Sequence, residues 1–113
     1  MGWREKIEGS DKLTETISWL TYEQAYEQAK IIGQGLTHPD LNLVPELCEY
    51  QDFKMRLFAI YGPNSPMWIL LDIAAVMYNL TSVPIYDTLG ESATSFMFDQ
   101  TNITTCICTT SHA

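Results

Sequence analysis

The chain has 113 residues, of which 46% are hydrophobic and 18% charged, and its formal net charge is −8. This hydrophobic content predicts a packed interior rather than disorder, and the length suits one domain of ordinary size. Six basic residues against fourteen acidic ones leave no visible basic face. Nucleic-acid binding and purely electrostatic membrane attachment both need such a face, so neither is predicted.

No secretory leader or membrane span is predicted. The N-terminus, Met1–Lys6, runs into polar residues instead of the apolar core of a signal peptide. The most apolar stretch, residues 68–80, is interrupted by Asp72 and is shorter than the roughly 20 residues that a bilayer requires. The odd number of cysteines, three, favours a reducing compartment.

A surface helix is predicted to begin at Tyr22. Thr21 fits an N-cap, and Gln24, three positions later, completes a capping box. Small and apolar residues then recur at the spacing of one helix face, which predicts one buried and one solvated side. That face consists of Ala25, Tyr26, Ala29, Ile32, Gly33 and Leu36. Gly33 and Gly35 are expected to weaken the last turn and to offer a C-cap.

The middle of the chain has the pattern of a buried strand followed by a buried helix. An extended piece is expected at 16–20, before the first helix, and an irregular loop at 37–54, where prolines and acidic residues cluster. Residues 55–61 are almost continuously apolar, which is typical of a parallel strand covered on both faces. A helix over 66–78 is apolar on nearly every side and should be buried all round. A domain of this size rarely covers a helix so completely, which indicates a missing neighbour.

Two further strands and a helix complete a predicted βαβαβ order. Residues 81–86 have the pattern of a strand, and Pro84 implies that this strand lies at an edge of the sheet. Residues 91–100 have the pattern of a helix, and residues 103–109 that of a last strand. The helix is expected to bury Ala93, Phe96 and Met97. Core-facing aromatic residues are expected at Trp19, Trp68 and Tyr86. The alternation predicts an α/β fold with part of a doubly wound, mostly parallel sheet.

Glycine-containing turns give two weak signals for nucleotide binding. The run Gly33–Gly35 begins a dinucleotide fingerprint, but His38 stands where the third glycine belongs, and the run ends a helix. The turn Gly62–Pro66 joins a strand to a helix, with Asn64 or Ser65 as N-cap, and a helix N-terminus can hold an anion. Because almost every strand-to-helix unit has such a turn, a structural role is favoured.

Candidates for nucleophilic or metal chemistry are equally sparse. The three cysteines are Cys48, Cys106 and Cys108. The last two alternate along a predicted strand, where they are expected to pack as small apolar side chains rather than form a metal pair. No cysteine has an evident base, since His38 and His112 lie in polar segments. Asp87 is expected to cap a turn, and the sequons at Asn79 and Asn102 to mark left-handed helix ends.

Two stretches carry a family signature: residues 60–68, IYGPNSPMW, and residues 82–90, SVPIYDTLG. They resemble the N-terminal region of eukaryotic long-chain acyl-CoA synthetases, which belong to the adenylate-forming (AMP-binding) superfamily. The second run is close to diagnostic, with Ile85 in place of the usual leucine. The resemblance covers about 17–109 and departs at Met67, where relatives usually carry an acidic residue.

The resemblance implies an enzyme that binds a fatty acid, ATP and Mg²⁺ and forms an acyl adenylate with release of pyrophosphate. Coenzyme A would then take the acyl group and AMP would leave. The family's phosphate loop, magnesium and adenine motifs and catalytic lysine would all lie beyond residue 113. No family catalytic residue can therefore be carried onto this sequence, and we assign no catalytic, cofactor-binding or metal-ligating residue.

We accordingly interpret the chain as a ligase fragment that is inactive alone and binds no cofactor. It would comprise a polar segment, 1–16, and a partial AMP-dependent synthetase/ligase N-terminal domain, 17–113. Its expected partners are the fatty acid substrate and the missing remainder of the adenylation domain. An intracellular location is expected, in the cytoplasm or on the cytosolic face of an internal membrane. The alternatives are a non-catalytic α/β binding or dimerisation module and a fragment of another adenylate-forming ligase. The run Tyr86–Gly90 argues against the second.

Overall fold

A computed structural model describes residues 1–45, 48–50 and 53–109, with the backbone alone at 48–50 and Asp87. The strands are β1 (Gly2–Trp3), β2 (Ser18–Trp19), β3 (Cys48–Tyr50), β4 (Phe53–Met55), β5 (Leu57–Tyr61), β6 (Thr81–Ile85) and β7 (Cys106–Cys108). The helices are α1 (Tyr22–Leu36), α2 (Pro66–Met77) and α3 (Glu91–Thr101), with a single 3-10 turn at Asp87–Leu89.

The centre of the molecule is a three-stranded parallel sheet in the order β6-β5-β7. In its register Ala59 lies opposite Val83 on one side and Cys106 on the other. Helix α2 connects β5 to β6, and α3 connects β6 to β7, so the predicted βαβαβ order and the α/β fold are confirmed. The second connection passes back over β5, and this reversal creates a topological switch point between β5 and β7.

The main core lies between this sheet and a layer formed by α1 and α2. Its buried cluster comprises Leu36, Val44, Phe58, Ile60, Leu71, Ala75 and Leu80. Phe58 is completely buried, as a residue of a strand covered on its helical side should be. Ile107 of β7 and Trp68 of α2 pack against the same cluster. This half of the molecule therefore has the packed interior that the composition predicts.

The N-caps predicted for α1 and α2 are both confirmed. Thr21 accepts a hydrogen bond from the Gln24 amide at 3.1 Å, and the Gln24 side chain accepts one from the Thr21 amide at 2.9 Å. Ser65 accepts a bond from the Trp68 amide at 3.4 Å, with Pro66 at the first helical position. These side chains satisfy amides that the first turn of a helix leaves without intrahelical partners.

The expected glycine C-cap of α1 is wrong, because the helix continues through Gly33 and Gly35 to Leu36 and its C-cap residue is Thr37. Gly33 is instead a point of close approach between α1 and α2. A Cβ atom added there would lie 2.1 Å from Cδ2 of Tyr78. The missing side chain is thus required by packing between helices and not by a helix end.

Helix α2 is not buried all round within this chain. Its buried residues are Leu70, Leu71, Ala74 and Ala75. Val76 is 85% exposed and Ile69 is half exposed, although both are large aliphatic residues. The chain therefore covers two sides of α2, toward α1 and the sheet, and leaves a third side open.

Three expectations about buried side chains are wrong. Helix α3 has no buried residue, and Phe96 is 62% exposed, because the half-buried residues of the helix are Ala93, Thr94, Met97, Phe98 and Thr101. Trp19 is 70% exposed because β2 pairs with β1, and its indole lies against Gly2. Tyr86 is half exposed at the end of β6, while Trp68 is partly buried.

Residues 37–54, expected to be an irregular loop, contain β3 and the start of β4, which pair in an antiparallel hairpin. The segment also contributes Val44 to the core. The Arg56 guanidinium donates a hydrogen bond from Nε to the Val44 carbonyl at 3.0 Å, and the Thr105 hydroxyl donates one to the Leu43 carbonyl. These bonds hold the segment beside the residues that precede β5 and β7. Periodicity alone could not predict them.

Candidate functional site

The switch point between β5 and β7 forms a small crevice at the carboxyl ends of these strands. Its walls come from the end of β5, the following turn, the start of α2 and the end of β7, and include Gly62, Ser65, Trp68 and Cys108. Open α/β sheets bind ligands at such crevices. The cavity volume is about 50 Å³. A small-molecule pocket usually needs about 300 Å³ or more, so this crevice would require further walls to hold a nucleotide.

Gly62 shapes the turn that enters the crevice. Its φ of +151° is a backbone conformation that residues with side chains rarely adopt. A Cβ atom there would also lie 3.1 Å from Cγ2 of Thr109, at the end of β7. Gly62 therefore lets two neighbouring strand ends approach each other.

The charges around the turn do not favour the anion-binding alternative. None of the residues described as lining the crevice is a lysine, arginine or histidine. The Ser65 hydroxyl already accepts a bond from an amide of the first turn of α2. The turn therefore keeps its favoured structural role.

The two stretches with the family signature lie side by side at this edge. Ile60 and Tyr61 of the first stretch pair in register with Pro84 and Ile85 of the second. Beyond the paired residues, the rings of Trp68 and Tyr86 stack with centroids 6.0 Å apart and an angle of 17° between planes. Such offset stacking adds an attraction beyond simple area burial. The structure thus joins two motifs, separated in sequence, into one surface at the carboxyl edge of the sheet.

The cysteines of β7 do not pack as small apolar residues, so that expectation is wrong. Cys106 and Cys108 are exposed on one side of the strand, while Ile107 points toward the core. Partial burial of the sulfur, and then the neighbouring Cys108, raise the pKa of Cys106. A raised pKa lowers the thiolate fraction at neutral pH, which argues against a role for Cys106 as a nucleophile.

The other residues considered from the sequence do not converge on this crevice. His38 accepts a bond from the Asp40 amide at 3.3 Å within its own loop. Asn79 and Asn102 adopt the left-handed geometry expected of them, with φ of 54° and 50°. His112 and the side chains of Cys48 and Asp87 lie outside the described residues.

The described part of the chain contains no group of three or more histidine, cysteine or acidic residues placed to hold a metal ion. Within the same part, no helix combines the length and apolar character needed to cross a bilayer. A concavity of about 400 Å³ is formed by the single exposed turn 6–11, and an apolar groove of about 570 Å³ lies beside α2. Neither of them touches the carboxyl edge of the sheet.

Comparison with known families identifies the chain. The profile of the family described as AMP-binding enzyme matches residues 4–113. The chain belongs to the AMP-binding enzyme family. Family membership accounts for the arrangement just described, since the two stretches that meet at the carboxyl edge are those that resemble adenylate-forming enzymes.

Relatives that resemble this chain include long-chain acyl-CoA ligases. Long-chain-fatty-acid–CoA ligase 5 of Mus musculus is 28% identical over 102 residues, which is 90% of this chain and 14% of the mouse protein. Peroxisomal long chain acyl-CoA synthetase 7 of Arabidopsis thaliana is 31% identical over 99 residues, covering 88% of this chain and 13% of the plant protein. The chain thus spans about one-seventh of the length of these relatives.

A solved structure shares the fold. The A-PCP didomain of carboxylic acid reductase from Segniliparus rugosus, in complex with AMP, superposes with a TM-score of 0.67 at 18% identity. The match covers 99% of this chain and 15% of that chain. The α/β arrangement described above is therefore a part of the fold of an adenylation domain.

Proposed function

We propose that the chain is part of a long-chain fatty acid–CoA ligase, which joins a long-chain fatty acid to coenzyme A with ATP through an acyl adenylate. The observation that carries this proposal is the adjacency of the two signature stretches, held by the register of β5 and β6 and by the Trp68–Tyr86 stack. The names of the relatives support the substrate class.

The proposal includes ATP, coenzyme A and Mg²⁺ as ligands of the longer enzyme. Stabilising the charge of a transferring phosphoryl or adenylyl group requires cations and hydrogen-bond donors aimed at the reacting atoms. The described lining of the crevice is uncharged and its volume is about 50 Å³. The reacting groups would therefore bind to polypeptide outside this chain, and the chain alone would be inactive.

Inactivity is tested by incubating the 113-residue chain with palmitate, ATP, Mg²⁺ and coenzyme A. We expect no pyrophosphate above that of a sample without protein. Release that depends on palmitate would overturn the inactivity of the chain.

The substrate class is tested with a chimera in which this chain replaces the matched 102 residues of the mouse ligase. We expect the chimera to form palmitoyl-CoA and to prefer palmitate to acetate and benzoate, whereas the mouse ligase without the segment should be inactive. Preference for acetate or benzoate would favour the alternative of another adenylate-forming ligase.

A further inference from the structure

Helix α2 presents an apolar stripe to solvent. Ile69, Ile73 and Val76, here called the outer stripe, follow the i, i+4, i+7 spacing of a single helix face. Val76 is 85% exposed and Ile69 50% exposed. The opposite flank of α2 is already filled by α1, where Gly33 meets Tyr78. The outer stripe is thus the vacant flank in a layer of side-by-side helices.

Two residues of the outer stripe, Ile73 and Val76, line an apolar groove. The groove has a volume of about 570 Å³, and its other wall comes from Leu80 and the start of β6. At its rim the Ser82 hydroxyl donates a hydrogen bond to the Asp72 carboxylate at 2.7 Å. We propose that this groove receives an α-helix from the remainder of an AMP-binding domain. This inference rests on the proposed function, because it assumes that the helix belongs to the same ligase as this chain.

The free edge of β6 favours a helix over a strand as the occupant. The Thr81 amide donates to the Arg56 carbonyl at 2.8 Å, so Thr81 directs its backbone groups toward β5. Backbone groups alternate in direction along a strand, and Ser82 and Pro84 therefore face the free edge. Pro84 has no N–H group, and an edge proline discourages the addition of another strand. An amphipathic helix needs no backbone bonds from its partner and docks through apolar residues at this spacing.

Charge argues against a fatty acid or a second copy of the chain in the groove. A carboxylate ligand is stabilised by a cation, whereas the charged residue among those described as lining the groove is Asp72, which would repel it. Two copies of the chain would each have a net charge of −8, which opposes their association. The matched mouse ligase contains far more polypeptide, because this chain covers 14% of it. The rest of such a domain is therefore the occupant that the observations favour.

The test measures whether position 76 becomes covered. The chain is co-expressed with the part of the mouse ligase that follows its matched segment, in a background with Cys48, Cys106 and Cys108 replaced by serine. Val76→Cys reports on the outer stripe, and Ile31→Cys, on an exposed aliphatic residue of α1, is the matched control. Alkylation rates are compared between the free chain and the purified complex.

We expect co-purification and alkylation at position 76 that is slower by about tenfold or more in the complex, with little change at position 31. Equal rates at position 76 in both states, or no co-purification, would overturn the inference. If alkylation at position 76 is slow in the free chain and becomes faster on dilution, the groove is occupied by a second copy of the chain instead. If the separately expressed piece does not fold, the alkylation rate at position 76 is measured in the chimera with the mouse ligase.

This readout does not depend on substrate. A complex that covers position 76 but forms no long-chain acyl-CoA would contradict the proposed function and leave the helix interface intact. A chimera that forms palmitoyl-CoA while position 76 stays reactive would support the proposed function and overturn the helix interface.

Discussion

The helices α2 and α3 each connect two strands of the same sheet, yet they differ in how far the chain completes their surroundings. Helix α2 packs against both α1 and the sheet and buries four residues, whereas α3 buries none of its own. With right-handed connections, the reversed strand order places the two helices on opposite faces. The difference shows that this segment of the AMP-binding fold packs the α2 side of its sheet more completely than the α3 side, although both sides leave apolar surface exposed.

Removing one phenylalanine from each face of the sheet should show the unequal packing most clearly. Phe58→Ala should lower the free energy of unfolding by about 3–5 kcal/mol, because the ring is completely buried beneath α2. Phe96→Ala on α3 should change it by less than about 0.5 kcal/mol, since that ring is mostly exposed. Urea unfolding followed by circular dichroism measures both, and a comparable loss in the two variants would contradict the unequal packing.

A smaller effect tests the contact between α1 and α2. Gly33→Ala should destabilise the chain by about 1–3 kcal/mol, because the new methyl group would overlap the Tyr78 ring. Gly35→Ala is the matched control in the same helix, with open space around the new atom, and should stabilise by about 0.5–1 kcal/mol. Thermal unfolding of both variants should show midpoints that move in opposite directions, and a gain in stability for Gly33→Ala would show that the helices are not in close contact.

The N-caps of α1 and α3 differ as well. Thr21→Ala should cost about 1 kcal/mol, because α1 begins with a complete capping box. Thr21→Ser keeps the hydroxyl and should cost little. Helix α3 begins at Glu91, and its N-cap residue, Gly90, provides no side-chain cap. Unfolding free energies of the two Thr21 variants that agree within error would show that the cap is not formed in solution.

The smallest expected effect concerns the thiols of β7. Burial and Cys108 raise the pKa of Cys106, so its thiolate forms only at higher pH than usual. Cys108→Ser should remove one of the two causes and shift the pH dependence of Cys106 alkylation to lower pH. The pH–rate profile with iodoacetamide, resolved by peptide mass spectrometry, measures the shift. An unchanged or higher midpoint would mean that the two sulfurs do not interact.

Local signals were sufficient for much of the fold. The capping box at Thr21, the N-cap at Ser65 and the apolar run of β5 each depend on a few neighbouring residues, so the sequence predicts them correctly. The expectations for Gly33 and Trp19 are wrong because the roles of these residues depend on distant partners, namely Tyr78 and β1. The expectation for Phe96 is wrong because a different side of α3 is half-buried. Periodicity describes a helix face but not which element covers it.

The candidate site was predictable only through resemblance. Nothing in the spacing of residues 60–68 and 82–90 indicates that Trp68 would stack on Tyr86. Their meeting depends on the strand register, which sequence periodicity does not determine across a connecting helix. The reversal of strand order that creates the crevice is likewise a property of the whole sheet.

Amide hydrogen exchange on the free chain tests the comparison between the two helices most directly. Exchange reports the local free energy of opening, which follows the packing around each helix. We expect the central amides of α2 to exchange slower than those of α3 by about a hundredfold or more. Equal protection of the two helices, or slower exchange in α3, would contradict the account, because α3 would then be as firmly packed as α2.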